Sequence, residues 1–328
     1  MAQERIQKRI GSGFYAKSEP EEVLDKIDLQ NKIAVVTGGY SGIGLETTRA
    51  LASKGMRVFV PARRIDLAEK NLADVPGDIV IRSLNLSDLG TVKKFVTELS
   101  RSESRIDILI NNAGVMACPE FRVSSGWESQ FATNHLGHFA LTTQMLPLLM
   151  SSEAPRVVCL SSVAHKRAGI QWDDIHFERT PYDKWLAYAQ AKSANALFAL
   201  YLDERYSGEG LRAFSVHPGG ILTPLQRYLK NTEMEALGWT DAEGNLSENV
   251  ASLFKSVSQG AATSLWAATS SQLDGLGGLY CEDCDVADGA SKDSPSWSGV
   301  SEWVTSLAEA ERLWEVSERL INQCGMIP

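Results

Sequence analysis

Tyr188 and Lys192 stand four residues apart in Tyr188-Ala189-Gln190-Ala191-Lys192-Ser193-Ala194-Asn195, a stretch rich in good helix formers. That spacing puts both side chains on one helical face. A free phenol titrates near pH ~10, too high for an efficient acid or base at neutrality. A nearby ammonium favours the phenolate and lowers that value, which would let Tyr188 exchange a proton with a substrate oxygen. Tyr-x-x-x-Lys alone is common and usually means a helix-surface pair, but here its neighbours change the odds. The apolar run Arg156 to Leu160 delivers Ser161-Ser162 at its end, where a hydroxyl can hydrogen-bond a carbonyl or hydroxyl oxygen.

A second chemistry is written near the start. The run Ile33-Ala34-Val35-Val36-Thr37 enters Gly38-Gly39-Tyr40-Ser41-Gly42-Ile43-Gly44 and then a helical stretch ending at Lys54-Gly55. Glycines let backbone approach a pyrophosphate, and the N–H groups of the new helix face the anion. A dinucleotide is therefore expected with its pyrophosphate on Gly38, Tyr40, Ser41, Gly42, Ile43 and Gly44. The next apolar run ends Val60-Pro61-Ala62-Arg63-Arg64, with no carboxylate to receive a ribose 2′-hydroxyl. Guanidinium groups clasp a phosphate through paired, charge-assisted bonds. NADP(H) is thus the predicted cofactor, with Arg63 first and Arg64 second and NAD(H) as the alternative. Asp66 is close enough to pair with one arginine, which would make them solvated loop charges instead.

The elements that must position these groups follow from alternation. Seven β-branched runs (Ile33 to Thr37, Arg57 to Val60, Ile79 to Leu84, Asp107 to Ile110, Arg156 to Ser161, Arg212 to His217 and Gly278 to Cys281) alternate with helix-like stretches. The runs are apolar almost throughout, as in strands covered on both faces. The predicted fold is α/β: a Rossmann-type, doubly wound, parallel seven-stranded sheet with helices on both faces, in one domain. Residues 1–30 read as an N-terminal extension with a short helix, Ser18 and Glu21 having capping-box spacing before Val23, Leu24 and Ile27. Residues 31–328 read as the domain, with insertions at about 163–187 and 221–248 following strand ends, where open α/β sheets bind ligands.

Composition narrows the classes. The chain has 328 residues, 44% hydrophobic and 22% charged, with a formal charge of −9, the wrong sign for a general nucleic-acid binder. No run of about eighteen apolar residues suggests an integral membrane segment. The segment Met1 to Ile10 has Arg5, Lys8 and Arg9 but no apolar signal core, so a cytoplasmic address is expected. Five scattered cysteines read as reduced.

Together Thr37-Gly38-x-x-x-Gly42-x-Gly44, Asn111-Asn112-Ala113-Gly114, Ser161-Ser162, Tyr188-x-x-x-Lys192 and Pro218-Gly219-x-x-x-Thr223 resemble the ordered motifs of the short-chain dehydrogenases/reductases over about residues 30 to 320. The resemblance implies a catalytic set of Asn134, Ser162, Tyr188 and Lys192, with Ser161 as the understudy to Ser162. Asn134 would help hold a water that links the lysine to solvent, and Lys192 would also bind the nicotinamide ribose. It implies cofactor contacts from Asn85 and Leu86, from Asn112, Ala113 and Gly114, and from Pro218, Gly219 and Thr223. Asn85 departs from the family's usual Asp beside the adenine. No metal is implied. Ile110 to Met116, Asn134 to Phe139 and Ser161 to His165 are similar to the retinol dehydrogenase and WW-domain oxidoreductase branch, although no WW domain is present.

That branch implies interconversion of a hydrophobic ketone or aldehyde and its alcohol, for which Arg63 and Arg64 predict NADP(H); homodimers or homotetramers are common among such relatives. Trp172, Phe177, Tyr182 and Trp185, with Leu225, Tyr228, Leu229, Met234 and Trp239, are candidates for an apolar pocket or for plain packing. The alternative function is an NADPH-binding regulatory or scaffold protein with little turnover. Cys281-Glu282-Asp283-Cys284 lacks further ligands at zinc spacing. His165 reads as a packing or surface residue, and the acidic run Glu282 to Asp293 as a solvated loop.

Overall fold

Eight strands form one sheet: β1 (Ile33–Val36), β2 (Arg57–Ala62), β3 (Ile79–Ser83), β4 (Ile108–Asn111), β5 (Arg156–Leu160), β6 (Arg212–His217), β7 (Leu279–Glu282) and β8 (Asp285–Val286). The computed structural model describes residues 6–123 and 125–324, so the first five residues of the extension and the last four of the domain lie outside the description. The strand order is β3-β2-β1-β4-β5-β6-β7-β8. Seven strands run parallel, as the alternation predicts, and β8 pairs antiparallel to β7. The expected seven-stranded sheet is therefore corrected to eight. The extra strand exists because the chain reverses at Asp283 and Cys284, whose φ angles of 51° and 57° are those of a two-residue hairpin turn.

The helices are α1 (Pro20–Val23), α2 (Gly42–Ser53), α3 (Ile65–Leu72), α4 (Leu89–Ser102), α5 (Ser129–Phe131), α6 (Gly137–Leu149), α7 (Lys184–Tyr206), α8 (Asn231–Ala236), α9 (Glu248–Ala251), α10 (Val257–Thr269) and α11 (Leu307–Gln323). Alternate strand residues serve two cores. Val35, Phe59, Leu109 and Val157 pack with side chains of α4, α6, α7 and α11, whereas Ala34, Val58, Ile110 and Val158 pack with those of α2 and α10. This double cover is why the runs are uniformly apolar. Strand order reverses between β1 and β4, and the crevice beyond their ends is where such sheets take dinucleotides.

The N-terminal segment packs on the body. Val23 and Leu24 join the core of Leu265 and Trp266, but the reciprocal cap of α1 is made by Glu19 and Glu22 rather than by Ser18 and Glu21. Ser18 Oγ instead accepts the Tyr15 N–H at 3.2 Å. Upstream, the Asp285 carboxylate accepts the N–H groups of Ile10, Gly11 and Ser12 at 2.9, 3.1 and 3.2 Å. Glu282 accepts the Gly299 N–H at 2.9 Å. Both carboxylates are buried, so the start of the acidic run is a structural clasp and not a solvated loop.

Candidate active site

The glycine turn leaves β1 with Gly38 and Gly42 at φ 65° and 53°, in the left-handed region where a Cβ is costly. A Cβ on Gly44 would lie 2.4 Å from the Gly38 carbonyl oxygen, so α2 can begin against the turn only with glycine there. Ser41 caps α2 without a side-chain hydrogen bond, which leaves first-turn N–H groups open to an anion. Two residues that sequence reasoning missed hold the turn. Asn71 of α3 donates to the Tyr40 carbonyl at 2.9 Å, and Gly39 passes so near Thr48 that a Cβ would sit 2.5 Å from its hydroxyl oxygen.

Arg63 and Arg64 are exposed beyond β2, and neither makes an ion pair with Asp66 or another carboxylate among the described residues. Helix-end N–H groups without a side-chain cap, a glycine turn and guanidinium groups without an ion pair fit a dinucleotide phosphate.

Other cofactor candidates divide by what they touch. Asn112 Nδ2 donates to the Thr37 carbonyl at 2.7 Å, stapling the end of β4 to β1. The Asn85 carboxamide oxygen accepts from Ser87 within its own loop, and buried Leu86 packs its carbonyl so closely on Gly137 that a Cβ there would lie 2.3 Å away. Gly219, at φ 107°, follows Pro218 over the Lys255 side chain, and Thr223 caps the turn Pro224–Gln226 while its methyl side faces Gly42. Gly114 backs onto Asn134 and Lys192, with a Cβ there 3.1 Å from Asn134 Oδ1 and 3.9 Å from Lys192 Nζ.

At the reacting end, β5 and α7 are locked together. Lys192 Nζ and Asn195 Nδ2 each donate to the Leu160 carbonyl at 2.9 Å, and Ser161 Oγ donates to the Lys192 carbonyl at 2.7 Å. Ser161 is thereby consumed in structure. Ser162 turns the other way: its hydroxyl accepts the Ala164 N–H at 3.2 Å and lies close enough to the Tyr188 phenol to pull its pKa down. Lys192 Nζ lies 5.7 Å from the centre of the Tyr188 ring. Asn134 sits in a π-turn, Ala132–Leu136, and its amide grips Val115 from both sides at 2.8 and 2.9 Å. The structure thus brings Asn134, Ser162, Tyr188 and Lys192 to one place.

Electrostatics differ from the sequence expectation in one respect. Burial pushes the Tyr188 phenol up to about 12, with the Ser162 hydrogen bond pulling the other way, and burial pushes Lys192 down to about 8. The Lys192 ammonium, expected to acidify the phenol, does not set its value: burial raises it and Ser162 alone opposes. As folded, the Tyr188 phenol is held in its neutral form.

Beside Tyr188, Met116, Ala117 and Leu229 are buried together with half-buried Trp185, Leu225, Met234 and Trp239. The other aromatic candidates are elsewhere. Trp172 Nε1 donates to Glu309 at 2.8 Å under the Arg312 guanidinium, and Phe177 packs edge-on against Tyr182. Tyr182 in turn donates to the Cys118 carbonyl at 3.1 Å. His165 is a packed residue, as expected, accepting the Ser301 N–H through Nε2 at 3.1 Å. Among the described residues no cluster of three or more His, Cys, Asp or Glu could hold a metal, and no helix is long and apolar enough to cross a membrane.

Comparison with known proteins follows this geometry. A family model described as short chain dehydrogenase matches residues 32–234. A Streptomyces antibioticus protein described as "Probable oxidoreductase" is 39% identical over 295 residues, covering 88% of this chain and 97% of its own. Retinol dehydrogenase 12 of Mus musculus is 36% identical over 305 residues, covering 90% of this chain and 88% of its own. Among solved structures, the Pseudomonas aeruginosa RhlG/NADP active-site complex superposes with a TM-score of 0.60 at 25% identity, covering 78% of this chain and 95% of that one.

Proposed function

The chain belongs to the short-chain dehydrogenase/reductase family, on its retinol-dehydrogenase-like branch, and is an oxidoreductase; from that premise we propose that it reduces a hydrophobic ketone or aldehyde with NADPH. The observation that carries the reading is the convergence of Ser162 and Lys192 on Tyr188, inside an apolar cluster. A bound nicotinamide supplies the hydride, and the protein supplies position, a proton and electrostatics. The glycine turn and the first turn of α2 would hold the pyrophosphate, Lys192 the nicotinamide ribose, and Arg63 with Arg64 a 2′-phosphate. A solved neighbour described as an NADP complex supports that preference.

The roles of the chain's own groups follow from their states. The Ser162 hydroxyl would hold the substrate oxygen, and Tyr188, neutral with its pKa at about 12, would give it the phenolic proton as negative charge develops there. Lys192, at about 8, carries its charge at neutral pH and would return a proton taken from solvent through the water that Asn134 would help hold. Met116, Trp185, Leu225, Leu229, Met234 and Trp239 would exclude water and favour a bulky apolar carbonyl.

The test is paired NADPH and NADH kinetics over a panel of hydrophobic aldehydes and ketones, with Tyr188→Phe alongside. Wild type should oxidise NADPH, and the variant should lose at least about a thousandfold in kcat while binding NADPH nearly normally. Undiminished turnover in Tyr188→Phe would remove the phenol from its role. NADPH binding without turnover anywhere in the panel would favour a nucleotide-responsive binding protein.

A further inference from the structure

His138, buried on the first turn of α6, belongs to neither the phosphate cradle nor the proton donor described above. Its Nδ1 is 2.9 Å from the Asn134 main-chain oxygen, and its Nε2 is 2.8 Å from Thr37 Oγ1. A carbonyl oxygen has no proton to give, so Nδ1 must donate. Burial, reinforced by the nearby Lys192 charge, holds the ring down to about 4 against the opposing pull of the Asn134 carbonyl, so it is neutral and Nε2 must accept. The Thr37 hydroxyl is then fully used: it gives its one proton to Nε2 and accepts the N–H groups of Asn112 at 2.9 Å and Ala113 at 3.0 Å.

These bonds close a ring around the segment after β4. Thr37 ends β1 and opens the glycine turn, while Asn112 and Ala113 are held on its hydroxyl. Val115 is gripped by the Asn134 amide, and the Asn134 carbonyl returns to His138. Inside the ring, Gly114 is the backbone against which Asn134 and Lys192 rest. Each nitrogen of one imidazole therefore ties to a different part of the site, Nε2 to the glycine turn through Thr37 and Nδ1 to the Asn134 main chain.

We propose that His138 is a positioning residue that couples seating of the dinucleotide on the glycine turn to placement of Asn134 and Lys192 at the reacting atoms. The proposal deepens the oxidoreductase reading and rests on it for the kinetic half of its test.

Two amide substitutions separate the two nitrogens. In His138→Asn the short side-chain N–H stands in for Nδ1 and nothing reaches Thr37; in His138→Gln the longer amide stands in for Nε2 and the Asn134 carbonyl loses its donor. NADPH affinity is read by quenching of tryptophan fluorescence, and kcat with an aldehyde that wild type reduces. His138→Asn should weaken NADPH about tenfold with a smaller effect on kcat, and His138→Gln should lower kcat about tenfold with a smaller effect on affinity, each losing one buried hydrogen bond. Parallel changes in both constants in both variants, or no change in either, overturn the proposal. Should His138→Asn fail to fold, Thr37→Val removes the same bond from the other end and must weaken NADPH at least as much. If wild type binds NADPH but reduces nothing, the catalytic reading falls and the affinities still decide this one: Asn must weaken binding and Gln must not.

Discussion

The floor of the site and the flap that crosses it are held in different ways. On the floor, Thr37, Asn134, Ser161, Tyr188 and Lys192 are each 5% exposed or less, and short hydrogen bonds tie β1, β4, β5, α6 and α7 together there. The flap, residues 221–254, leaves Leu222, Tyr228, Leu237 and Leu253 between 37% and 42% exposed. Its attachments to α7 include the Lys184–Glu233 ion pair and an edge contact of Trp185 with Trp239 at 6.2 Å. Local opening is easiest where few buried contacts must be broken. The chemistry thus sits on rigid, saturated structure, while the surface that would choose a substrate can yield.

Acid should break this comparison from below, with the largest effect. Burial lowers His135 and His217 to about 3, and His138 and His165 to about 4. All four lie in or under the floor, and the flap contains no histidine. Between about pH 4 and the unfolded value of ~6.5 the native state binds fewer protons than the unfolded chain, so stability rises with pH in that window and is lost as pH falls through it. Each imidazole can contribute up to about 1.4 kcal/mol per pH unit, enough together to exhaust an ordinary domain's stability of about 5–15 kcal/mol. The thermal midpoint should be level between about pH 7 and 8 and drop steeply below 6, with activity and fold lost together. A midpoint that held to pH 4.5 would show that these rings do not stay neutral as folded.

The same contrast explains what could be read from the chain. Glycine spacing, Tyr188 with Lys192, and Ser162 after an apolar run are local patterns whose meaning follows from helix and strand geometry, and the structure gathers them. Ser161 is tied to the Lys192 carbonyl, a contact that the Ser162 hydroxyl does not make. What was illegible depends on partners far away in sequence. The eighth strand needs a left-handed pair at Asp283 and Cys284 with no glycine to announce it, and Asp285 is buried because Ile10 to Ser12 arrive to meet it. Trp172 looked like pocket lining until α11 supplied Glu309 and Arg312. The acidity of Tyr188 could not be judged from Lys192 alone, because desolvation decides its sign.

A middle-sized effect tests the cradle's rim, where Arg63 and Arg64 are exposed. Arg63→Ala should raise the Kd for NADPH about tenfold, as expected for loss of a partly solvated, charge-assisted contact, and Arg64→Ala should do less. Neither should change the Kd for NADH. Equal losses for both nucleotides would mean that the arginines shape the loop rather than read a phosphate. Unchanged affinity for both would return them to the solvent.

The smallest effect belongs to the flap. Lys184 opens α7 one turn before Tyr188, and its ammonium holds Glu233 of α8, lowering that carboxyl below its usual range. Surface pairs of this kind contribute little and weaken in salt. Lys184→Met should therefore raise KM for a bulky aldehyde only about two- to threefold at unchanged kcat, and 0.5 M salt, about a 4 Å screening length, should bring wild type toward the variant. The informative result is the split between constants. A fall in kcat at constant KM would mean that the flap helps to place Tyr188, and the boundary between a rigid floor and a yielding cover would have to move outward to include α8.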